Sequence, residues 1–451
     1  MGLLDTRRNL AVLVALTALL PAVMDSHAAV KPRTVLILPL AAADLGRDEQ
    51  WMGEGVAQSL SLALVHIPGL VQIDRQRLRQ MPQPEVWDEQ AALQAARSLR
   101  ADVTLYGEVR RVAGEVSLQP RYIETRGERN ERVALDAMVV PEGGFMTSLR
   151  ALPLAYLRAL KVPVSDAEAA RVQKSASPTA SLRAYETYVR GQTAALRGTQ
   201  EGNEAAVELL SRAVEIDPQF VVAQFALGTV HQILGNRWKA AAQFRASTQL
   251  DPNYPEPFKA LGDLVLTAPR RLFDQAVEAY AKALELRPFY AEAYVGLGDA
   301  QAAKGDVDGA VGAYRKALDH NPLNPRVYVS LGKIYYGEKG LYYESVTAYK
   351  KAIELDPLHL DARMGLAEVY EDKGLYPEAI GEYRRVVEQD PKNTGALYNL
   401  ALVYEKVDAK ESIILWERYI QLAGSLPSEK DWVDMARLHL RKLKSQQDKS
   451  N

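Results

Sequence analysis

Glu215-Ile-Asp-Pro218, Gln249-Leu-Asp-Pro252 and Glu354-Leu-Asp-Pro357 are variants of one phrase. The same place is taken by Arg287-Pro288, Asn321-Pro322 and Asp390-Pro391, so six prolines stand 34, 36, 34, 35 and 34 residues apart. Each closes a helical stretch, because the residue before a proline is pushed out of the α region. Other residue types keep register with them. Ala206, Ala240, Ala276, Ala310 and Ala379 stand twelve residues before a proline, and Ala213, Ala283, Ala317 and Ala352 five before. Leu210, Phe244, Tyr280, Tyr314, Tyr349 and Tyr383 stand eight before. Leu227-Gly228, Leu261-Gly262, Leu297-Gly298, Leu331-Gly332 and Leu366-Ala367 recur in the first helix of each unit. Two helices approaching at about 8–10 Å need a small residue at the crossing and large side chains beside it.

A period near 34 residues with two helices per unit resembles the tetratricopeptide repeat over residues 181–445. The resemblance implies an all-α, right-handed superhelical solenoid of about seven units. Extra residues are expected near Thr199–Asn203, Ala268-Pro269-Arg270 and Gly337–Tyr342. The seventh unit keeps Leu400, Ala401, Tyr404 and Trp416 but not the terminal proline. A last amphipathic helix from Asp431 to Leu443, with Trp432, Met435, Leu438 and Leu440, is expected to cap the final apolar face, before a polar tail at 446–451. In such arrays the first helices line a concave face that holds a segment of a partner protein. The resemblance puts Phe225, Lys259, Val295, Val329, Met364 and Tyr398 there, with Thr229, Asp263, Asp299, Lys333, Glu368 and Leu402 one turn further. The lysine and asparagine set that clamps a C-terminal carboxylate in the best-known such groove is missing. Glu256, Glu292, Asp361, Glu371 and Asp372 add acids, so a basic and apolar partner segment is expected, steered by opposite charge. Solvated helix faces are the plainer alternative.

The N-terminal part reads differently. Thr34-Val-Leu-Ile-Leu-Pro-Leu40 is a continuous apolar run, as in the interior of a sheet. A helix over Gly53–His66, a strand over Leu70–Asp74 and a helix over Ala91–Leu99 follow. Three period-2 segments come next, Val103–Val112, Val116–Glu124 and Arg132–Val140, the first two joined by a turn at Ala113-Gly114. A helix from Gly144 to Leu160, kinked at Pro153, closes the unit. The expected fold is a mixed sheet of about five strands with helices. Val35-Leu-Ile-Leu-Pro-Leu40, Gly53-Glu-Gly55, Ile67-Pro-Gly-Leu-Val-Gln-Ile73 and Ala101-Asp-Val-Thr-Leu-Tyr-Gly-Glu-Val109, in that order, resemble the TolB N-terminal-like domain over 31–162. That resemblance implies an interaction or assembly module of the cell envelope. Residues 163–180, without a clear apolar face, are expected to be a partly ordered joint.

Ahead of this stand Arg7, Arg8, an apolar run from Leu10 to Met24 and the small residues Ser26-His27-Ala28-Ala29. That order is a signal peptide over 1–28, and Arg7-Arg8 also fits a twin-arginine export signal. An exported, periplasmic or envelope-associated protein is expected; an uncleaved inner-membrane anchor is the alternative, though the run is short of the roughly 20 residues a span needs. With 55 basic and 57 acidic residues the chain has no excess charge for nucleic acid or an anionic membrane surface. Without cysteine, disulfides and thiol chemistry are excluded. None of the six histidines pairs at i, i+4 as a helical metal site would. Gly53-Glu-Gly55 lacks the third glycine of a dinucleotide loop, and no Gly-x-Ser-x-Gly elbow occurs. No catalytic residue, metal or cofactor is therefore expected. The reading is a non-catalytic envelope scaffold; a sensory subunit whose α/β unit binds a small ligand and signals through the array is the alternative.

Overall fold

The computed structural model describes residues 32–42, 44–79, 81–125 and 130–450; the expected signal peptide lies outside them. The α/β part runs β1 (Arg33–Ile37), α1 (Trp51–Leu64), β2 (Leu70–Gln72), α2 (Arg75–Arg79), α3 (Glu89–Leu99), β3 (Val103–Val112), β4 (Glu115–Glu124), β5 (Glu131–Ala134), β6 (Met138–Val140) and α4 (Phe145–Ala159). The sheet is mixed, in the order β2-β1-β3-β4-β5, with β6 also on β4. β1 lies parallel between β2 and β3, which is why its run is apolar on both faces. Val35 and Ile37 pack toward α1 and α4, while Leu36 and Leu38 pack toward α3. β3 and β4 form a long hairpin whose turn residues, Ala113 and Gly114, both have positive φ, as a tight primed turn requires.

Among the described residues six strands stand where about five were expected, and Pro120 explains the extra one. Its carbonyl accepts from Leu135 N at 2.9 Å, but it has no N–H to return. The ladder along that edge of β4 therefore breaks, and the third period-2 segment divides into β5 and β6.

The stretch expected to be a joint is instead ordered. α5 (Asp166–Ala176) starts at a capping box in which Ser165 and Glu168 cap each other. Its Val172 and Ala176 are wholly buried, and the Ala176 carbonyl accepts from Ser59 Oγ at 2.6 Å. Alanines dilute its apolar face, so its periodicity is faint in the sequence. One hydrophobic core runs without interruption from Val35 in the sheet to Val230 in the array.

The array is seven helical pairs. They are α6 (Leu182–Ala195) with α7 (Gln200–Ile216), α8 (Val221–Ile233) with α9 (Arg237–Leu250), α10 (Pro255–Leu266) with α11 (Phe273–Leu286), and α12 (Ala291–Lys304) with α13 (Val307–His320). Then come α14 (Pro325–Gly337) with α15 (Tyr342–Leu355), α16 (Leu360–Asp372) with α17 (Tyr376–Gln389), and α18 (Thr394–Tyr404) with α19 (Ala409–Ala423). The residue before each proline makes the turn between pairs. Asp217, Asp251, Asn321, Asp356 and Asp390 each accept from the N–H two residues on, at 3.0–3.2 Å, which is an Asx turn. Arg287 cannot make that bond.

The glycines mark close ring contacts. A Cβ on Gly262 or Gly296 would come 2.8 or 2.3 Å from the Tyr280 ring, which lies between them. Tyr349 is held in the same way between Gly332 and Gly365. The tyrosine eight residues before the proline therefore locks its own pair to the next.

The capping helix α20 (Lys430–Ser450) corrects an expectation. It covers the last pair with Val433, Ala436, Leu440 and Leu443, whereas Trp432, Met435 and Leu438 point outward. The helix also continues into the expected polar tail as far as Ser450. Among the described residues no helix is long and apolar enough to cross a membrane.

Candidate partner-binding groove

The first helices of the pairs supply the expected groove residues, and the tyrosines behind them hold the acids. Tyr280 donates to Asp263 at 2.8 Å, Tyr314 to Asp299 at 2.6 Å and Tyr383 to Glu371 at 3.0 Å; Tyr336 donates to Asp372. One tyrosine thus joins two pairs through its ring and fixes a carboxylate through its hydroxyl.

The acids nevertheless differ in company. Asp263 is neutralised by Lys259 at 2.7 Å, and Asp299 by Arg326. Glu256 is paired with the almost fully buried Arg287, whose guanidinium stacks 4.3 Å from the Tyr290 ring centroid. Glu368 and Glu371 lie one helical turn apart on α16. Burial, and for Glu368 also the neighbouring charge of Glu371, pushes both carboxyls above the ordinary range; Lys333 and the Tyr383 hydroxyl act the other way. With Asp372 they form the excess negative charge of the groove, at the sixth pair.

Val295 and Val329, expected on the concave surface, are instead buried against Tyr314 and Tyr349 between pairs. Met364 is half-buried beside the C-terminal core. Tyr398 is half-buried too, in edge-on contact with Trp416, Tyr419 and Trp432 at centroid distances of 4.9, 5.2 and 5.3 Å. Glu405 underpins that cluster, accepting from Trp416 Nε1 and contacting His439 Nδ1, each at 2.8 Å.

Phe225 does not face an open groove. It lines a cavity of about 250 Å3 whose opposite wall is α1 of the α/β part, with Leu62 and Val65. The α/β part, α5 and the segment after it meet the array at ends of its pairs. Thr179 donates to Asp217 at 2.5 Å, Lys174 pairs with Asp251 at 3.0 Å, and Arg100 donates to the Glu354 carbonyl at 3.3 Å. At the head of this contact, Trp51 meets Tyr185 edge-on, and Tyr185 donates to the buried Gly55 carbonyl at 2.7 Å. His66 contacts Ser175 Oγ at 2.7 Å, and burial together with the charge of Arg287 lowers its pKa to about 4, so it is neutral at pH 7. Helix starts in the first three pairs are thereby roofed. The only hint of this roof in the sequence is Arg287, which breaks the Asp/Asn-Pro series.

A second cavity, of about 240 Å3, lies within the α/β part. Glu108 reaches Arg121 at 3.0 Å there and also pairs with Arg110, while Tyr106, Trp87 and Ala41 complete the wall. Ala41 and Glu108 are joined by a parallel bridge just beyond the end of β1. Among the described residues no group of three or more His, Cys, Asp or Glu side chains is placed to hold a metal ion.

Residues 270–325, 304–353 and 334–394 match the family model of the tetratricopeptide repeat. No curated protein matches the chain. Among solved structures, the chain is similar to YrrB, a tetratricopeptide-repeat protein with an unusual peptide-binding site, at 24% identity and a TM-score of 0.37, over 45% of this chain and 100% of that one. It is similar to MamA at 28% identity and a TM-score of 0.32, over 37% of this chain and 94% of that one. A thermophilic tetratricopeptide-repeat protein of Thermus thermophilus gives 23% identity and a TM-score of 0.36, over 41% and 98%. Over residues 270–394 the helical pairs match the tetratricopeptide repeat, and proteins built of that repeat act as protein-interaction scaffolds.

Proposed function

We propose that the protein is a non-catalytic assembly scaffold of the bacterial cell envelope, exported by its N-terminal segment, whose groove grips a basic and apolar segment of a partner protein. The observation that carries this reading is the unequal groove. Its first three pairs are roofed and their acids already paired, whereas the sixth pair offers Glu368, Glu371 and Asp372 beside the apolar Met364 and Tyr398. A lysine or arginine of the partner would relieve the repulsion between the glutamates, and an adjacent apolar side chain would bury against Tyr398. The order of segments that resembles a TolB N-terminal-like domain supports the envelope setting. The test is affinity purification with crosslinking and mass spectrometry from the protein's own envelope fraction. A defined partner, lost when Glu368 and Glu371 are changed to glutamine, is expected. A protein that stays in the cytosol and captures nothing would sink both the location and the role.

The sensory alternative has one observation in its favour, the cavity with Glu108, Arg110 and Arg121 converging near the carboxyl end of β1. In open sheets with parallel strands, ligands favour that end. Native mass spectrometry of the protein isolated from its source would reveal a bound small molecule, displaced in Arg121→Ala. A bare protein mass in both would remove this reading.

A further inference from the structure

The outward face of α20 is apolar where a terminal cap should be polar. Trp432, Met435 and Leu438 are 56%, 46% and 52% exposed. Solenoid ends are normally closed by a polar surface, so this stripe calls for an occupant.

Its charges identify one. Asp431, Met435, Leu438 and Lys442 follow at i, i+4, i+7 and i+11, and so share one face of the helix. Trp432 and Arg441 flank that line. Among the described residues, Asp431, Arg441 and Lys442 have no hydrogen-bond or ion-pair partner within the chain, and all three are exposed. The face therefore reads acid, apolar, apolar, base along its length. A helix with that order is complementary to itself turned end for end. If the two-fold axis passes between Ala436 and Arg437, Met435 meets Leu438 of the second copy and Asp431 meets Lys442.

We propose that the protein forms a homodimer in which two α20 helices pack antiparallel about this axis. The contact is isologous, so it closes at two copies and leaves no apolar surface to propagate. It brings the Tyr398 cluster of each copy beside the dimer contact, through Trp432.

Sedimentation velocity of the full chain over a wide concentration range tests the proposal. A species of twice the monomer mass is expected, converted to monomer by Leu438→Glu. That residue is exposed, so unchanged helical circular dichroism should accompany the change. Asp431→Lys and Lys442→Asp each place like charges together and should weaken association roughly tenfold. Combined in one chain they restore opposite pairs and should recover it, a result peculiar to the antiparallel register. A wild-type protein that is monomeric throughout, a dimer indifferent to Leu438→Glu, or a combined variant no better than the single ones would each overturn the proposal.

Discussion

The first three pairs of the array and the last three are built from the same repeat and serve opposite ends. In the first three, Tyr188, Phe225 and Tyr254 turn toward the α/β part, and the acids nearby are met by Lys259 and Arg287. In the last three, the positions of Tyr188 and Phe225 are taken by the half-buried Met364 and Tyr398, with the exposed Glu368 one turn beyond Met364. A repeat array thus need not be a uniform binding surface. A covalently attached domain can take up part of it, leaving selectivity to the remainder.

The largest effects should come from breaking either half at its tyrosine locks. Gly296→Val, at the junction of the third and fourth pairs, and Gly365→Val, at that of the fifth and sixth, each drive a side chain into a ring that already stands 2.3–2.4 Å from the added Cβ. Each should cost about 3 kcal/mol, the upper range of overpacking. Hydrogen exchange should show the difference: Gly365→Val loosens the C-terminal pairs alone, whereas Gly296→Val also exposes the α/β contact. Gly381→Ala, with nothing near its added Cβ, is the neutral control.

Acid should act on the roofed half through His66. That imidazole is neutral when folded and protonates only near pH 4, whereas in the unfolded chain it takes a proton near 6.5. Stability is therefore lost as the pH falls from about 6.5 to 4, by roughly 3 kcal/mol at the lower end. Comparing denaturant unfolding of the wild type with His66→Gln across that range should show the loss shrink in the variant.

Tyr185→Phe removes the donor to the buried Gly55 carbonyl and should cost about 1–2 kcal/mol. Its effect should fall on the α/β contact, seen as faster exchange in α1 with the last pairs unchanged. Smaller again, Glu368→Gln with Glu371→Gln should weaken partner binding roughly tenfold and flatten its salt dependence. Asp263→Asn with Asp299→Asn should change binding less, because those acids already hold cations. Equal losses from the two double variants would erase the distinction between the halves.

What could be read in the sequence follows from what repeats. The pairs, their proline turns and the Leu-Gly crossings recur, so a fault in one unit is corrected by its neighbours in register. The groove was legible only as positions. Asp263 and Glu368 occupy equivalent places, yet only the fold shows that Lys259 has already answered the first. The roof over Phe225 depends on contacts between residues more than a hundred positions apart, which no local pattern encodes. The division of β5 from β6 was hidden for another reason, since Pro120 stands on the neighbouring strand rather than in the segment it interrupts. In α5 the apolar face is made mostly of alanine and is too faint to mark a helix, although Ser165 and Glu168 announce its cap. On α20, composition promised an amphipathic helix but could not say which of its two apolar stripes would be inside.

The hydrogen bond from Arg100 to the Glu354 carbonyl spans 254 positions of chain. A superhelix behaves as a spring, and this bond ties the base of the spring to a point well along its length. By itself an exposed contact of this kind holds little energy. Its consequence is mechanical: a partner that stretches the coil must first release the tether, and one that tightens the coil keeps it engaged. The length of the spring is thereby reported at the surface of the α/β part, far from where the load is applied.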